Sequence, residues 1–156
     1  MTDSPPDHPG VIVFPPLLFA GTLAVALVLQ WLFPIRLLPP LVARPAGGVL
    51  LVASLSLARW GQVTMHRAGT NVHPTKPTLA IVSDGPFRLT RNPLYLALSG
   101  AYLGITLLAD TAWPLIFIIP VLLVAHFGIV RREERYLEGK FGDAYLAYKA
   151  RVRRWI

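Results

Sequence analysis

Two short clusters hold the side chains best suited to chemistry. Arg88, Arg91, Asn92, Pro93 and Tyr95 lie in Gly85–Gly104, GPFRLTRNPLYLALSGAYLG. Glu133, Glu134 and Tyr136 follow a pair of arginines in RREERYLE. Asn92 is a good N-cap, because its side-chain oxygen can accept from the free N–H groups of a first turn. Pro93 suits the first helical position, where a missing N–H costs nothing. A helix is therefore predicted to start here with two arginines just outside it, which makes a ready site for an anion. Taken alone, the stretch reads more readily as a basic anchor where the chain enters a membrane.

Glu133-Glu134 is the paired carboxylate. His126 stands seven residues before Glu133, so regular helix geometry puts both on one face about 10 Å apart. Arg131 and Arg132 could simply neutralise the two glutamates as an interfacial charge cluster. Against this, Glu133 falls in register with Leu137, Phe141, Tyr145, Tyr148 and Val152. A carboxylate on that apolar stripe faces a helix bundle, and ionisable groups at membrane depth are functional candidates. His66, His73 and His126 have no metal-ligand spacing, so no metal is expected. No G-x-G-x-x-G follows a strand, which excludes a Rossmann cofactor domain.

The elements that must position these groups are hydrophobic. Of 156 residues, 54% are hydrophobic and only 15% charged, which fits a small polytopic membrane protein. The chain has no cysteine, so disulfides and thiol catalysis are excluded. A net charge of +7 would suggest nucleic acid in a soluble protein. Here the basic residues flank apolar spans, so topology and lipid headgroups account for them and nucleic acid is not expected.

The predicted fold is all-α, with about four transmembrane helices over 11–33, 41–60, 94–108 and 113–130, forming a single membrane domain. A polar loop over 61–92 and an amphipathic tail helix over 131–156, jogged near Gly139 and Gly142, complete it. The first apolar segment lacks the basic flank of a secretory signal and reads as a retained span. Gly, Ala and Ser in the second span, and Gly100-x-x-x-Gly104 in the third, are predicted to let helix backbones approach closely. The third span, about 22 Å long, is short for a hydrocarbon core of about 30 Å. Leu79–Val82 is expected to fold back onto the membrane surface. Thirteen of the fifteen Lys and Arg side chains fall in or beside the loop and tail, which places both termini in the cytoplasm of a bacterial inner membrane.

GTNVHPTKPTLAIVSDGPFRLTRNPLYLALSG followed by RREERYLEGKFGDAYLAYKARVRRW resembles the isoprenylcysteine carboxyl methyltransferase and phospholipid methyltransferase superfamily. The resemblance rests on a G-P-[FY]-R-x-x-R-[HN]-P-x-Y run and an E-E-x-x-L-x-x-x-F-G-x-x-Y-x-x-Y tail, and covers Gly69–Trp155. The first two spans carry no motif of that family. The resemblance implies an integral membrane enzyme that uses S-adenosylmethionine to methylate a lipophilic acceptor with a carboxylate, amine or thiol head. It assigns catalysis to Arg91, Glu133 and Glu134. It places cofactor binding on Arg91, Asn92, Pro93, Tyr95 and Glu134, and the chemistry of the neighbouring residues adds Arg88, His126 and Tyr136. Many relatives carry His where this chain has Asn92, which removes a titrating imidazole but keeps capping and hydrogen bonding. Two other readings differ in class: an NADPH-dependent lipid or steroid reductase, and a non-catalytic membrane subunit whose basic tail binds anionic lipid.

Overall fold

In the computed structural model, which describes residues 7–155, the chain is helical throughout, with no strand among the described residues. α1 spans Pro15–Leu32 and α2 Pro40–Arg67. α3 spans Pro93–Leu108. A continuous rod, Trp113–Phe141, comprises α4 (Trp113–Leu123), a π-helical segment (Val124–Val130) and α5 (Arg131–Phe141). α6 spans Asp143–Arg151.

Proline and glycine set the boundaries. α1 starts four residues later than the expected span, because a residue before proline is pushed out of the helical region and Phe14 is extended (φ −70°, ψ 119°). Residues 11–14 are therefore an extended lead-in. α2 runs past its expected end at Trp60, so Gly61–Arg67, expected in the loop, is helical. Its brake is Gly69, at φ 68°. At 28 residues α2 is about 42 Å long and overshoots a bilayer core. Three helices, α1, α2 and the Trp113–Phe141 rod, are long and apolar enough to cross a membrane. α3 is apolar but has only 16 residues.

α3 is short and sits inside the bundle, clamped against α2 by small residues. A Cβ on Gly47 would lie 2.7 Å from the Gly104 carbonyl oxygen, and one on Gly104 would lie 2.9 Å from the Leu51 nitrogen. Gly100 faces Ser54, so the expected small-residue contact is where the backbones meet. On the other side of α3, Tyr95 and Tyr102 join Phe19 of α1 with Val121, Ala125 and Ile129 of the rod in the buried core. Large apolar side chains such as Trp31, Leu41, Val49, Val52 and Ile119 point outward, the arrangement a lipid solvent requires.

The tail is not one surface helix. Gly142, at φ 52°, breaks it, and α6 turns back so that Tyr145 and Tyr148 are buried. The extended segment after α6 then pairs with the start of α3: the Arg91 N–H donates to the Arg153 carbonyl at 2.9 Å.

Candidate functional site

The start of α3, the α5 helix, α6 and the loop 68–84 enclose a cavity of about 380 Å³ at the basic end of the bundle. Its polar wall is Arg91, Asn92, Tyr95, Glu133, Tyr145 and Tyr148. Its apolar wall comes from Ala58 and Met65 of α2, Leu94 and Leu98 of α3, Leu137 of α5, and Ala80, Ile81 and Val82 of the loop. Three of the four residues of Leu79–Val82 line the cavity, and Leu79 alone is largely exposed. Residues Pro9 and Phe14 close the remaining side.

Loop 68–84 is ordered by its own polar residues. The Leu79 N–H donates to Thr70 Oγ1 at 2.9 Å, and Asn71 Nδ2 donates to the Pro77 carbonyl at 2.8 Å. Gly85, at φ 55°, starts the 3₁₀ turn Gly85–Arg88 that carries the chain to α3. A Cβ there would meet Thr64 Oγ1 at 2.7 Å, so the turn needs glycine for both space and conformation.

The two glutamates have separate environments. Glu134, only 5% exposed, holds two arginines: Arg154 Nη2 donates to its Oε2 at 2.6 Å and Arg154 Nε to Oε1 at 3.0 Å, while Arg91 Nη1 lies 2.9 Å from Oε1. Glu133 accepts one hydrogen bond, from the Tyr95 hydroxyl at 2.8 Å, and has no basic partner among the described residues. The Arg91 side chain is nine-tenths buried, and its Nε has no hydrogen-bond partner among the described residues. Its contact with Glu134 is an ion pair by distance, without an aligned hydrogen bond from Nη1.

Asn92 occupies the N-cap position, but its side chain does not cap the helix. Asn92 Nδ2 donates instead to the Arg154 carbonyl at 2.9 Å, beside Thr90 Oγ1, which donates to the same oxygen at 3.0 Å. Docking of the C-terminal segment has captured the side chain that local geometry would have aimed at the helix. In α6, burial and the Glu134 carboxylate push the Tyr145 phenol up to about 12, with the Arg91 guanidinium pulling the other way. The Tyr148 hydroxyl donates a hydrogen bond to the Phe87 carbonyl at 2.8 Å.

Of the residues singled out in the sequence, Arg91, Asn92, Pro93, Tyr95 and Glu133 meet at the cavity. Arg88, His126, Glu134 and Tyr136 do not line it. Arg88 is exposed on the 3₁₀ turn. His126 packs against Phe127 and Trp155, its expected alignment with Glu133 broken by the π-helical turns between them. Tyr136 bonds to Asp7 and to the Thr78 N–H. Sequence reasoning missed Arg154, which locks Glu134. It placed Tyr145 and Tyr148 on an apolar stripe, and nothing in that stripe distinguished a cavity wall from a membrane face.

The model of the phospholipid methyltransferase family matches residues 42–144, two-thirds of the chain. The chain belongs to that family. The family is part of the isoprenylcysteine carboxyl methyltransferase-like group of membrane methyltransferases, so this is an integral membrane protein of a methyltransferase class. The match runs from the start of α2 into α6. It leaves out α1, the segment before it, and the Tyr145, Tyr148 and Arg154 side chains of the site. The chain is also 41% identical over 63 residues to an uncharacterized protein of Haemophilus influenzae, covering 40% of this chain and all of that protein. No solved structure matches.

Proposed function

We propose that the cavity binds S-adenosylmethionine and that the protein methylates a lipophilic acceptor at the cytoplasmic face of the membrane. The observation that carries this reading is an unmet guanidinium donor and a carboxylate without a basic partner on one wall. Arg91 Nε is a buried donor without a partner, and Glu133 is a carboxylate without a basic partner. A buried unmet donor costs about 1–3 kcal/mol, which supports a ligand that meets it. The cofactor has the matching groups: a carboxylate for Arg91, and an ammonium and a sulfonium for Glu133 and the tyrosine rings. When bound, it supplies an electrophilic methyl group.

The chain's own residues then orient and exclude water. Glu134 and Arg154 hold the Arg91 guanidinium in place, so that positioning is present before binding. Tyr95 fixes one Glu133 oxygen, and the other is free to hold the proton that an amine acceptor must lose before it attacks. A carboxylate acceptor has no proton to lose at neutral pH, so the unpaired Glu133 favours an amine. The cluster of Lys and Arg around the cavity end supports a cytoplasmic location.

The test is binding of S-adenosylhomocysteine to detergent-purified protein by calorimetry, followed by labelled methyl transfer into a membrane lipid extract. Micromolar binding that Arg91→Ala and Glu133→Gln abolish is the expected result. No binding at millimolar ligand, or hydride transfer from NADPH in its place, would overturn the reading.

A further inference from the structure

One wall of the cavity lies outside the residues that the family model matches and is held differently from the others. Residues 7–14 run along the outside of the rod and end at the cavity. The Ile12 N–H donates to the Gly128 carbonyl at 3.4 Å, and the Ile12 side chain fills the space that a Gly128 Cβ would need. Arg132 Nη1 donates to the Gly10 carbonyl at 3.0 Å. Asp7 Oδ1 accepts from the Tyr136 hydroxyl at 2.7 Å and from Lys140 Nζ at 2.5 Å. Tyr136 in turn accepts the Thr78 N–H at 3.2 Å, which ties loop 68–84 to the same point. At the other end of the segment, the Phe14 ring stacks on His73 of that loop, with centroids 4.5 Å apart and planes 12° from parallel.

The segment and the loop are therefore joined twice, once by the Asp7–Tyr136–Thr78 chain and once by the Phe14–His73 stack. Between these points Pro9 and Phe14 face the cavity. Apart from loop 68–84, the other walls are helices, with α3 fixed by close backbone packing on α2 and α5 by the buried Glu134 network. The fastening of residues 7–14 is exposed: the Asp7 side chain is 58% accessible and Lys140 25%. Exposed ion pairs of this kind contribute little and break readily. The cavity is partly open, and Pro9 and Phe14 narrow its mouth with a wall whose Asp7–Lys140 fastening faces solvent.

We propose that residues 7–14 form a strap over the cavity, latched by Asp7, Tyr136 and Lys140 and carried with loop 68–84, and that release of this latch opens the site to water-soluble ligand. The ligand's identity rests on the methyl-donor reading; the gate does not. Tyr136, expected from its side-chain chemistry to contact the cofactor, acts here as a positioning residue for the strap.

The absence of cysteine permits a direct test, because a single introduced thiol reports one position. Met65→Cys places that thiol on the cavity wall, and Ser83→Cys on the exposed loop serves as the reference. With a water-soluble maleimide, Asp7→Asn and Lys140→Gln should each speed labelling of Met65→Cys about two- to five-fold, the scale of an exposed pair. Phe14→Ala should speed it further, and the Ser83→Cys rate should stay constant. The swapped pair Asp7→Lys with Lys140→Asp should return the Met65→Cys rate toward that of the parent. Unchanged rates in all the single variants overturn the strap. So does equal acceleration at Ser83→Cys, or a swap that restores nothing. Protection of Met65→Cys by S-adenosylhomocysteine is a separate arm. Its absence alongside an intact latch effect overturns the methyl-donor reading and leaves the strap standing.

Discussion

At the end of the bundle where α1 turns into α2 and α3 into α4, each polar side chain drawn inward has found a partner. Gln30 Oε1 accepts from the Ile35 N–H and from Thr111 Oγ1, at 3.0 and 2.9 Å. Asp110 Oδ1 accepts from the N–H groups of Leu37 and Leu38, at 3.1 and 3.2 Å. Trp113 Nε1 donates to the Phe33 carbonyl at 2.7 Å. At the cavity end, by contrast, the chain sets a buried and a half-buried arginine against one glutamate, leaves Arg91 Nε unmet, and leaves the other glutamate with a single phenol. Both ends close a connection between helices. The first is satisfied within the chain, as a purely structural knot should be, and the second leaves a buried donor for the ligand proposed above. Where buried polar groups are left unmet, rather than where they are most numerous, marks the site.

The sharpest way to break this contrast is to remove the carboxylate that the cavity end does satisfy. Glu134→Ala strands Arg91 in a buried position and removes the side-chain anchor of Arg154. The expected loss is about 3–5 kcal/mol, the scale for breaking a buried pair from one side. It should appear as a large drop in melting temperature in detergent with loss of ligand binding. A variant that melts like the parent would mean that the Arg91–Glu134–Arg154 cluster is not holding the fold.

Arg91→Lys is gentler and more specific. A lysine keeps a charge for Glu134 but has no Nε and no planar fork. S-adenosylhomocysteine affinity should fall about 10- to 100-fold, since a hydrogen bond to a charged group is worth about 1.5–3 kcal/mol. The melting temperature should change little. Comparable losses in both quantities would make Arg91 a structural residue and remove the main difference between the two ends.

Much of this architecture was legible beforehand, and the part that was not has a physical cause. Local rules located α3 correctly: Pro93 opens it, Gly104 meets Gly47, and the arginines sit outside its first turn. They failed where distant backbone intervened. Asn92 has the right residue type for a cap, but the Arg154 carbonyl, sixty-two positions away in sequence, takes its amide. The i, i+7 relation between His126 and Glu133 assumed an unbroken 3.6-residue period, and the π-helical Val124–Val130 shifted the phase. Glu133 and Glu134 are neighbours in sequence with different partners, a distinction that only the fold of α6 creates. In the opposite knot, the sequence alone shows Gln30 as a strongly polar residue in an apolar run but not its partner Thr111, because nothing local links the two.

That knot supplies the smaller predictions. Thr111→Val removes the hydroxyl that Gln30 accepts from, at a fully buried position, and keeps the side-chain shape. It should cost about 1 kcal/mol in stability and leave ligand affinity unchanged, so a fall in affinity would show the two ends to be coupled. The finest test is the same acid-to-amide change made at both ends. Asp110 sits at φ 47°, a conformation that asparagine tolerates well, and serves as an acceptor for two N–H groups. Asp110→Asn keeps an acceptor oxygen and the turn, so its effect on melting should lie within about 0.5 kcal/mol. Glu133→Gln also keeps an acceptor for Tyr95 and should fold as well as the parent, yet it removes the charge proposed to meet a cationic ligand. If both amides fold and only Glu133→Gln loses binding and methyl transfer, the charge at one end is used by the backbone and the charge at the other by a ligand. Equal tolerance at both ends would leave Glu133 as ordinary a residue as Asp110.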